Sequence, residues 1–366
     1  MKPYYLVAAA SKGYQPGLAA LLNSFRHHHA GQGIKIVVCD YDLEPAFVEK
    51  YSGDDLTWVK VTSEKGNIYA TKIHRFRVAS ELTDGVVGVF DSDMYVVRSM
   101  INFWKIAEAG FIVGGANGSN IRFGANWNES YQMEVPEVYN TKTITSVPTF
   151  MDVERDGDVW RSIYEHKEAT NAGADFNLLN IFLAKLGKLD RVIPFTSAQC
   201  TGVHHQQIKE STGIINKAGE LLTNNGLELF SVHGRFWSGD WYANLLKPMP
   251  KHYARMGIRS SKSKAYQSSL KSRQLLMDEF NKYCDWPYES TVKPETLANV
   301  KEQEELFFVD AKSLEEENAA LEKRNETLMD ALTQQGRKIR DLERQLREQP
   351  MTPDPETPIL RTSKIF

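Results

Sequence analysis

Two aspartates one residue apart, Asp91 and Asp93, stand inside the apolar segment GVVGVFDSDMYVVRS at residues 85–99. On a loop, two carboxylates at this spacing reach the same divalent cation, and their oxygen atoms suit Mg²⁺ or Mn²⁺. The same triplet is common in solvated turns. Here apolar residues flank it on both sides, and burying two adjacent carboxylates without a cation costs free energy. The segment therefore predicts a metal site that can bridge a diphosphate and neutralise charge on a leaving group.

The elements that must position these acids alternate between strands and helices. Apolar runs predict strands at 4–10, 34–40, 85–90, 111–115 and 191–195. Between them lie the helix-like segments GLAALLNSFRHHH, GDVWRSIYEHKEA and DFNLLNIFLAKLG. This alternation favours an α/β fold, Rossmann-like, with a mixed, mostly parallel sheet flanked by helices. Ligands of such sheets bind at the carboxyl ends of the strands, where Asp91 and Asp93 are expected.

Composition narrows the class of protein. The 366 residues are 42% hydrophobic and 25% charged, with a net charge of -3, which excludes a general electrostatic attraction to nucleic acid. Three cysteines that are far apart suggest neither a disulfide framework nor a metal site of their own. No apolar run approaches the roughly 20 residues of a membrane span, and the N-terminal run is too short for a signal peptide. We therefore expect a cytoplasmic protein, either free or peripheral at a membrane surface.

Residues 241–277 contain no acidic residue and eight basic ones: Lys247, Lys251, Arg255, Arg259, Lys262, Lys264, Lys271 and Arg273. A solvated basic face is one interpretation. A cradle for an anionic acceptor, a lipid phosphate or a membrane surface is another. A nucleic-acid acceptor also stays open, although the overall charge does not favour it.

From about residue 297 the pattern changes to a heptad repeat. The d positions are Leu314, Leu321, Leu328, Gln335 and Leu342. The a positions are Ala311, Asn318, Asn325, Leu332, Ile339 and Leu346. A narrow a/d seam with Asn at a positions is typical of a coiled coil, most often a parallel dimer, whereas a helix docked on its own domain has a wider seam. A helix over 304–348 would be ~68 Å long.

These patterns divide the chain into four predicted segments. Residues 1–250 form the α/β domain, 251–296 a basic helical extension, 297–348 the coiled coil, and 349–366 a proline-rich, disordered tail.

The segment ATKIHRFRVASELTDGVVGVFDSDMYVV resembles the core of the GT-A fold glycosyltransferases. It is most similar to glycosyltransferase family eight, the glycogenin-like and galactosyltransferase-like retaining enzymes. Three further segments agree with that family in order and approximate spacing: VAAASKGYQPGLAALLNSFRHH, GADFNLLNIFLAKLG and LFSVHGRFWSGDW. The resemblance covers about residues 4–245 and implies a GT-A sheet in that part of the chain.

The resemblance also implies roles for individual residues. Asp91, Asp93 and His233 match the metal ligands of the family. Lys72 matches a lysine that contacts the nucleotide diphosphate or the sugar, and Asp175 matches an acid that faces the transferred sugar. Residues that match other donor contacts are Tyr14, which stacks on the base, Ala8, Ala9 and Ser92, which line the nucleotide, and Asn177 and Asn180, which reach sugar hydroxyls.

The chain departs from the family at several positions. Phe176 stands where the family has Gln, and Thr145 and Ser146 are the nearest equivalents of a small sugar-binding strand. In the tail motif His233 and Trp241 match, but the phosphate-binding lysine is missing. Arg235 or Lys247 would have to replace it. These departures leave the donor sugar open and allow a sibling GT-A family.

The resemblance implies a metal-dependent, retaining glycosyltransferase that uses Mn²⁺ or Mg²⁺ and a UDP-sugar. Its acceptor would be a carbohydrate, a lipid-linked group or another hydroxyl, and the coiled coil would form a homodimer or tether a partner. One alternative is a nucleotidyltransferase, although AAASKGYQPG is a poor match to the glycine-rich basic loop of those enzymes. Another is a non-catalytic coiled-coil scaffold with a degenerate nucleotide-sugar-binding domain.

Overall fold

The computed structural model describes residues 2–62, 72–116, 144–170, 175–195, 200–202, 214–223, 226–238, 264–288, 316, 319–330 and 333–338. The chain divides into two compact units, Met1–Phe307 and Phe308–Phe366. The domain boundaries predicted at 250, 296 and 348 stay predictions.

The described strands, in chain order, are β1 (Tyr4–Ala10), β2 (Lys35–Asp40), β3 (Leu56–Lys60), β4 (Val86–Val89), β5 (Met94–Val96), β6 (Ile112–Ala116), β7 (Ile144–Asp152), β8 (Val192–Phe195), β9 (Cys200–Gly202), β10 (Ile214–Lys217), β11 (Glu220–Thr223) and β12 (Ser231–His233). Seven of them form one sheet in the order β3-β2-β1-β4-β7-β6-β8. Within it β7 runs antiparallel to both neighbours, and the other pairings are parallel. This confirms the predicted mixed, mostly parallel sheet.

The described helices, in chain order, are α1 (Gln15–His28), α2 (Pro45–Tyr51), α3 (His74–Glu81), α4 (Ile101–Glu108), α5 (Val153–Thr170), α6 (Asp175–Lys185) and α7 (Lys264–Tyr283). Side chains of successive strand residues point to opposite faces, so Leu6 and Ala8 join one core and Val7 and Ala9 the other. Helices α1, α2 and α4 cover the first face, and α3, α5 and α6 cover the second. The predicted helices on both faces are thus confirmed.

A smaller sheet with the order β5-β12-β9 forms from segments distant in sequence. Strand β12 is antiparallel to β5 and parallel to β9, and it sets His233 opposite Met94. Helix α7 contributes Leu276 and Phe280 to the core beside this sheet, and Leu276 O accepts a hydrogen bond of 2.6 Å from the hydroxyl of Tyr95. This sheet therefore has a core of its own, which holds the end of β12 in position.

The second unit is helical at 316, 319–330 and 333–338, which confirms a C-terminal helix over those residues. Leu321 and Leu328, two of the predicted d positions, are 49% and 53% exposed. The tail at 349–366 and most of the other a and d positions lie outside the described residues. None of the helices in the described part of the chain combines the length and apolarity needed to cross a bilayer.

Candidate active site

The two aspartates lie in the turn that joins β4 to β5, at the carboxyl edge of the large sheet. The strand before them is fully buried, and the amide of Met94 donates to Asp91 O over 3.2 Å to close the turn. The amide of Gly234 donates to Asp93 O over 2.7 Å, which fixes the end of β12 against the same turn. Strand pairing between β12 and β5 therefore brings His233 to Asp93, which is 140 positions away in the sequence.

The structure brings the three predicted metal ligands together. One ligand atom from each of Asp91, Asp93 and His233 lies within 4.8 Å of the other two. His233 Nε2 is 2.9 Å from Asp93 Oδ1 and 3.4 Å from Asp91 Oδ2. The aspartates are only 6% and 5% exposed. Two carboxylates and an imidazole are common metal ligands, and the convergence of these atoms fits one divalent cation.

Electrostatics keeps these carboxylates ionised despite their burial. Burial acts to raise the pKa of Asp91, but the positive charges of Arg75, Lys72 and His233 outweigh it and hold that pKa well below its ordinary value. Burial likewise opposes ionisation of Asp93, and His233 keeps the pKa of Asp93 below normal. For His233, burial lowers the pKa, but Asp93 and Asp91 outweigh it and raise it. The site is thus an anionic pair that already attracts cations.

Arg75, which no sequence motif indicated, has a side chain that is 1% exposed and lies beside the predicted site. Its Nη1 contacts Asp91 Oδ1, and its Nη2 donates to Asp175 Oδ2 over 3.0 Å. Lys72 Nζ lies 3.7 Å from Asp91 Oδ1 on the same side. Lys72 precedes α3, which begins at His74, and Arg75 lies in the first turn of that helix.

Asp175 begins α6 and is joined to the metal ligands through Arg75. A second cation near it is Lys167, whose Nζ lies 4.0 Å from Asp175 Oδ1 and whose side chain is 8% exposed. Asp175 itself keeps 23% of its side chain exposed. The predicted sugar-facing acid is therefore held between two buried cations while part of its surface stays open.

The two asparagines of α6 differ in what they can do. Asn180 Oδ1 accepts from Ile144 N over 3.0 Å, and its Nδ2 donates to Ile144 O over 2.8 Å. Its amide is thus engaged with the backbone of β7, which is a structural task. Asn177 is 3% exposed, and its Oδ1 has no hydrogen-bond partner among the described residues.

A cavity that is open to solvent adjoins the predicted metal ligands, and its lining residues are Ala9, Ala10, Ser11, Tyr14, Tyr41, Lys72 and Ser92. Four predicted nucleotide-contacting residues, namely Ala9, Tyr14, Lys72 and Ser92, are among them. Ala8 is fully buried and belongs to the core beneath the other face of the sheet, away from this lining. Ser11 lies in the first of the segments that resemble the family but was assigned no role, and Tyr41 lies outside those segments.

Arg235 contacts both a residue that lines the cavity and one of the predicted metal ligands. Its Nη2 contacts the hydroxyl of Tyr14, its guanidinium lies 4.8 Å from the centroid of that ring, and its Nε is 3.9 Å from Asp93 Oδ2. Lys72 Nζ is 5.6 Å from the centroid of the same ring. Two cations therefore stand beside Tyr14, between the cavity and the acidic pair.

A tryptophan holds the loop that carries Arg235. Trp237 Nε1 donates to Gly13 O over 3.1 Å, and the Trp237 ring packs edge-on against Tyr14. A Cβ on Gly17 would lie 2.3 Å from Trp237 and 2.6 Å from Ser92 O, so only glycine fits there.

Thr145 Oγ1 donates to Val147 O over 3.1 Å, as part of β7. Trp241, Lys247 and the side chains of Ser146 and Phe176 lie outside the described residues.

No profile of a known protein family matches the chain, and no curated protein matches it in sequence. Among solved structures, it is similar to galactosyltransferase LgtC in complex with donor and acceptor sugar analogues, at 14% identity and a TM-score of 0.47, over 72% of this chain and 99% of LgtC. The bifunctional glycosyltransferase WbbM matches at 11% identity and a TM-score of 0.45, over 74% of this chain and 52% of WbbM.

The glycosyltransferase GlyE of Streptococcus pneumoniae TIGR4 matches at 14% identity and a TM-score of 0.41, over 80% of this chain and 66% of GlyE. All three are glycosyltransferases, the class that the sequence resembles. Because the TM-scores are below 0.5, the function of this chain has to rest on its own residues.

Proposed function

We propose that this chain is a metal-dependent glycosyltransferase that moves a sugar from a nucleotide-sugar donor to a hydroxyl acceptor. The observation that supports this most is the convergence of Asp91, Asp93 and His233 next to a cavity at the carboxyl edge of the sheet. The two carboxylates of this pair repel each other, and a cation bound by both would relieve that repulsion. A diphosphate between that cation and the cavity would account for both features.

The metal, Mn²⁺ or Mg²⁺, would be held by Asp91, Asp93 and His233, and when bound it neutralises negative charge on the departing nucleoside diphosphate. Lys72 and Arg235 add positive charge beside the cavity and meet the same need. Arg235 lies within 3.9 Å of Asp93, so it is our candidate for the missing phosphate-binding lysine.

Asp175 faces the transferred sugar in this proposal, and Arg75 and Lys167 keep its carboxylate oriented. Its partly exposed side chain can accept a hydrogen bond from a sugar hydroxyl. The buried Asn177, whose Oδ1 is unpartnered in the described part of the chain, is a second candidate for such a contact. By family resemblance, the donor is a UDP-sugar and the anomeric configuration is retained.

The C-terminal helix is proposed to pair with a second copy of the chain. Leu321 and Leu328 are half-exposed at d positions, and Asn318 and Asn325 at a positions favour a fixed register in a parallel dimer. Light scattering on the full chain should give a dimer mass. The double variant Leu321→Asp/Leu328→Asp should give the monomer mass, and a monomeric wild type would contradict the pairing.

A ligand-binding experiment tests the enzymatic proposal. Mn²⁺ with UDP or UDP-sugars should raise the melting temperature of the wild type, since a ligand at 100 times its Kd adds about 2.7 kcal/mol to the free energy of unfolding. Asp93→Asn should lose this shift, and Asp54→Asn, a change at an exposed aspartate, should retain it.

Donor hydrolysis, measured as release of nucleoside diphosphate, tests whether the chain is catalytically active. Release that requires Mn²⁺ and Asp93 supports glycosyl transfer. Release of pyrophosphate from a nucleoside triphosphate would favour the nucleotidyltransferase alternative instead. Absence of any nucleotide or metal binding by the wild type would contradict the proposal and favour the scaffold.

A further inference from the structure

Tyr14 is held by both its backbone and its ring at the start of α1. Its amide donates to Ser11 O over 2.8 Å, and Trp237 packs edge-on against its ring. Family resemblance implies that this ring stacks on the nucleobase, which requires an open ring face. Tyr14 is only 7% exposed, so its ring offers little surface to a base. Its surroundings point to a different task.

The ring of Tyr14 contacts two cations. The guanidinium of Arg235 lies 4.8 Å from the ring centroid and contacts the hydroxyl, and Lys72 Nζ lies 5.6 Å from the same centroid. Cations within about 6 Å of a ring centroid are attracted by the ring. Each cation also approaches one of the acids, at 3.7 Å between Lys72 and Asp91 and 3.9 Å between Arg235 and Asp93. Tyr14 is therefore in contact with both cations that flank the acidic pair.

A ligand can reach these two cations, although little of Tyr14 itself is exposed. The side chains of Arg235 and Lys72 are 45% and 22% exposed. Long side chains of this kind lose rotamer freedom when they bind an anion. Contacts that already orient them in the free protein reduce that cost. Tyr14, fixed at the start of α1, provides such contacts to both.

We propose that Tyr14 is a positioning residue, which orients Arg235 and Lys72 toward the donor's diphosphate and does not stack on the base. The inference rests on the proposed function, since it takes a nucleoside diphosphate as the ligand beside the metal site. Two consequences follow from it. The contribution of Tyr14 to affinity is the same whichever nucleobase is present, and the part made by its hydroxyl requires Arg235. Stacking on the base has neither consequence.

The test is calorimetric titration of wild type, Tyr14→Phe and Tyr14→Leu with inorganic pyrophosphate, UDP, GDP, CDP and ADP, each in the presence of Mn²⁺. Tyr14→Phe removes only the hydroxyl that contacts Arg235, whereas Tyr14→Leu removes the ring as well. The matched control is Tyr51→Phe. The hydroxyl of Tyr51 contacts Asp285 and Lys50 Nζ lies 5.3 Å from its ring centroid, but Tyr51 does not line the cavity. Melting temperatures check that every variant is folded.

Tyr14→Phe should weaken pyrophosphate and the tightest nucleoside diphosphate by the same factor, about fivefold, the effect of one hydrogen bond. Tyr14→Leu should weaken both further, because the contacts of the two cations with the ring are lost. Tyr51→Phe should bind every ligand as the wild type does. In an Arg235→Ala background, Tyr14→Phe should cause no additional loss, a coupling that a merely structural role of the hydroxyl would not give.

Three results would overturn the role of Tyr14. They are unchanged affinities in both Tyr14 variants, a loss for nucleoside diphosphates while pyrophosphate binds as in the wild type, and an effect of Tyr14→Phe that persists undiminished in the Arg235→Ala background. The second of these would show that the ring stacks on the base. A wild type that binds neither pyrophosphate nor any of the nucleotides would overturn the proposed function itself, and this inference with it.

Discussion

Carboxylates are buried at both edges of the large sheet, but the number of cations around each carboxylate differs between the two edges. At the amino edge, Asp156 is fully buried and is surrounded by cations: Lys188 at 3.2 Å, Arg155 at 3.5 Å and a direct contact with Arg191. We call these four residues the basal network. One carboxylate there has three cations within ion-pair distance.

At the carboxyl edge, Asp91 and Asp93 share His233. The other cations lie at different distances from the two carboxylates. Arg75 contacts Asp91 directly, whereas Lys72 is 3.7 Å from Asp91 and Arg235 is 3.9 Å from Asp93. The difference teaches that charge burial alone does not identify a site. Convergence of two carboxylates and an imidazole beside a cavity is a better indication, because one bound cation could contact all three groups.

Replacing the acid of the basal network should give the largest effect, and it should be on stability. In Asp156→Asn three surrounding cations lose the fully buried carboxylate that they share, which costs up to about 3–5 kcal/mol. Urea unfolding measures this loss, with Asp158→Asn, at a 48% exposed carboxylate, as a milder control. Turnover per folded molecule should stay at the wild-type level. A loss of less than about 1 kcal/mol would show that the basal network is not a stabilising element.

The equivalent change at the carboxyl edge should affect chemistry instead. Asp93→Asn removes a metal ligand, so Mn²⁺-dependent donor hydrolysis should fall by about a hundredfold or more. The free energy of unfolding should change less than in Asp156→Asn, because relief of the repulsion with Asp91 offsets the lost contact to His233. If both variants lost stability equally and turnover stayed normal, the contrast between the two edges would be disproved.

Arginine-to-lysine changes sharpen the comparison further. The planar guanidinium of Arg75 bridges Asp91 and Asp175, and a lysine cannot reach both carboxylates at once. Arg75→Lys should therefore lower donor hydrolysis about tenfold. Arg191→Lys, the matched change in the basal network, should leave hydrolysis unaltered and reduce only the urea midpoint. Equal hydrolysis rates in the two variants would argue against a positioning role for Arg75.

The smallest expected effect is a gradual change of metal affinity with pH. His233 must be neutral to bind a metal, and its carboxylate neighbours raise its pKa above the ordinary value of 6.5. Mn²⁺ affinity should therefore rise with pH, by at most about tenfold per unit, and level off above that raised pKa.

The stability of the metal-free chain should depend on pH in the opposite direction and fall as the pH rises. The ion pair of protonated His233 stabilises the fold below pH 6.5, and this contribution is lost as the pH rises through the raised pKa. Calorimetry and urea unfolding at pH 6, 7 and 8 measure the two trends. His233→Ala should abolish both, and a metal affinity independent of pH would contradict the assignment of His233 as a ligand.

Patterns local in sequence predicted much of this molecule. Alternating apolar runs and helical spacing predicted the α/β fold, and the acids after a buried strand predicted the edge at which the site lies. Lys72 and Asp175 came from family resemblance, as did His233, and all three lie at that edge. Asn180 lies there too, but its amide is engaged with Ile144, which no motif could indicate because the contact spans the packing of α6 on β7.

The sequence by itself determined which residues form strands and helices, and that two carboxylates stand at the end of a buried strand, since these depend on neighbours along the chain. Tertiary structure alone decided the rest. It brought Arg75 between Asp91 and Asp175, paired β12 with β5 so that His233 meets the aspartates, and placed Tyr14 and Lys72 in the lining of one cavity. The physical reason is that ion pairs and cavities depend on side chains from separate elements, whose distances are fixed only when the sheet and helices pack.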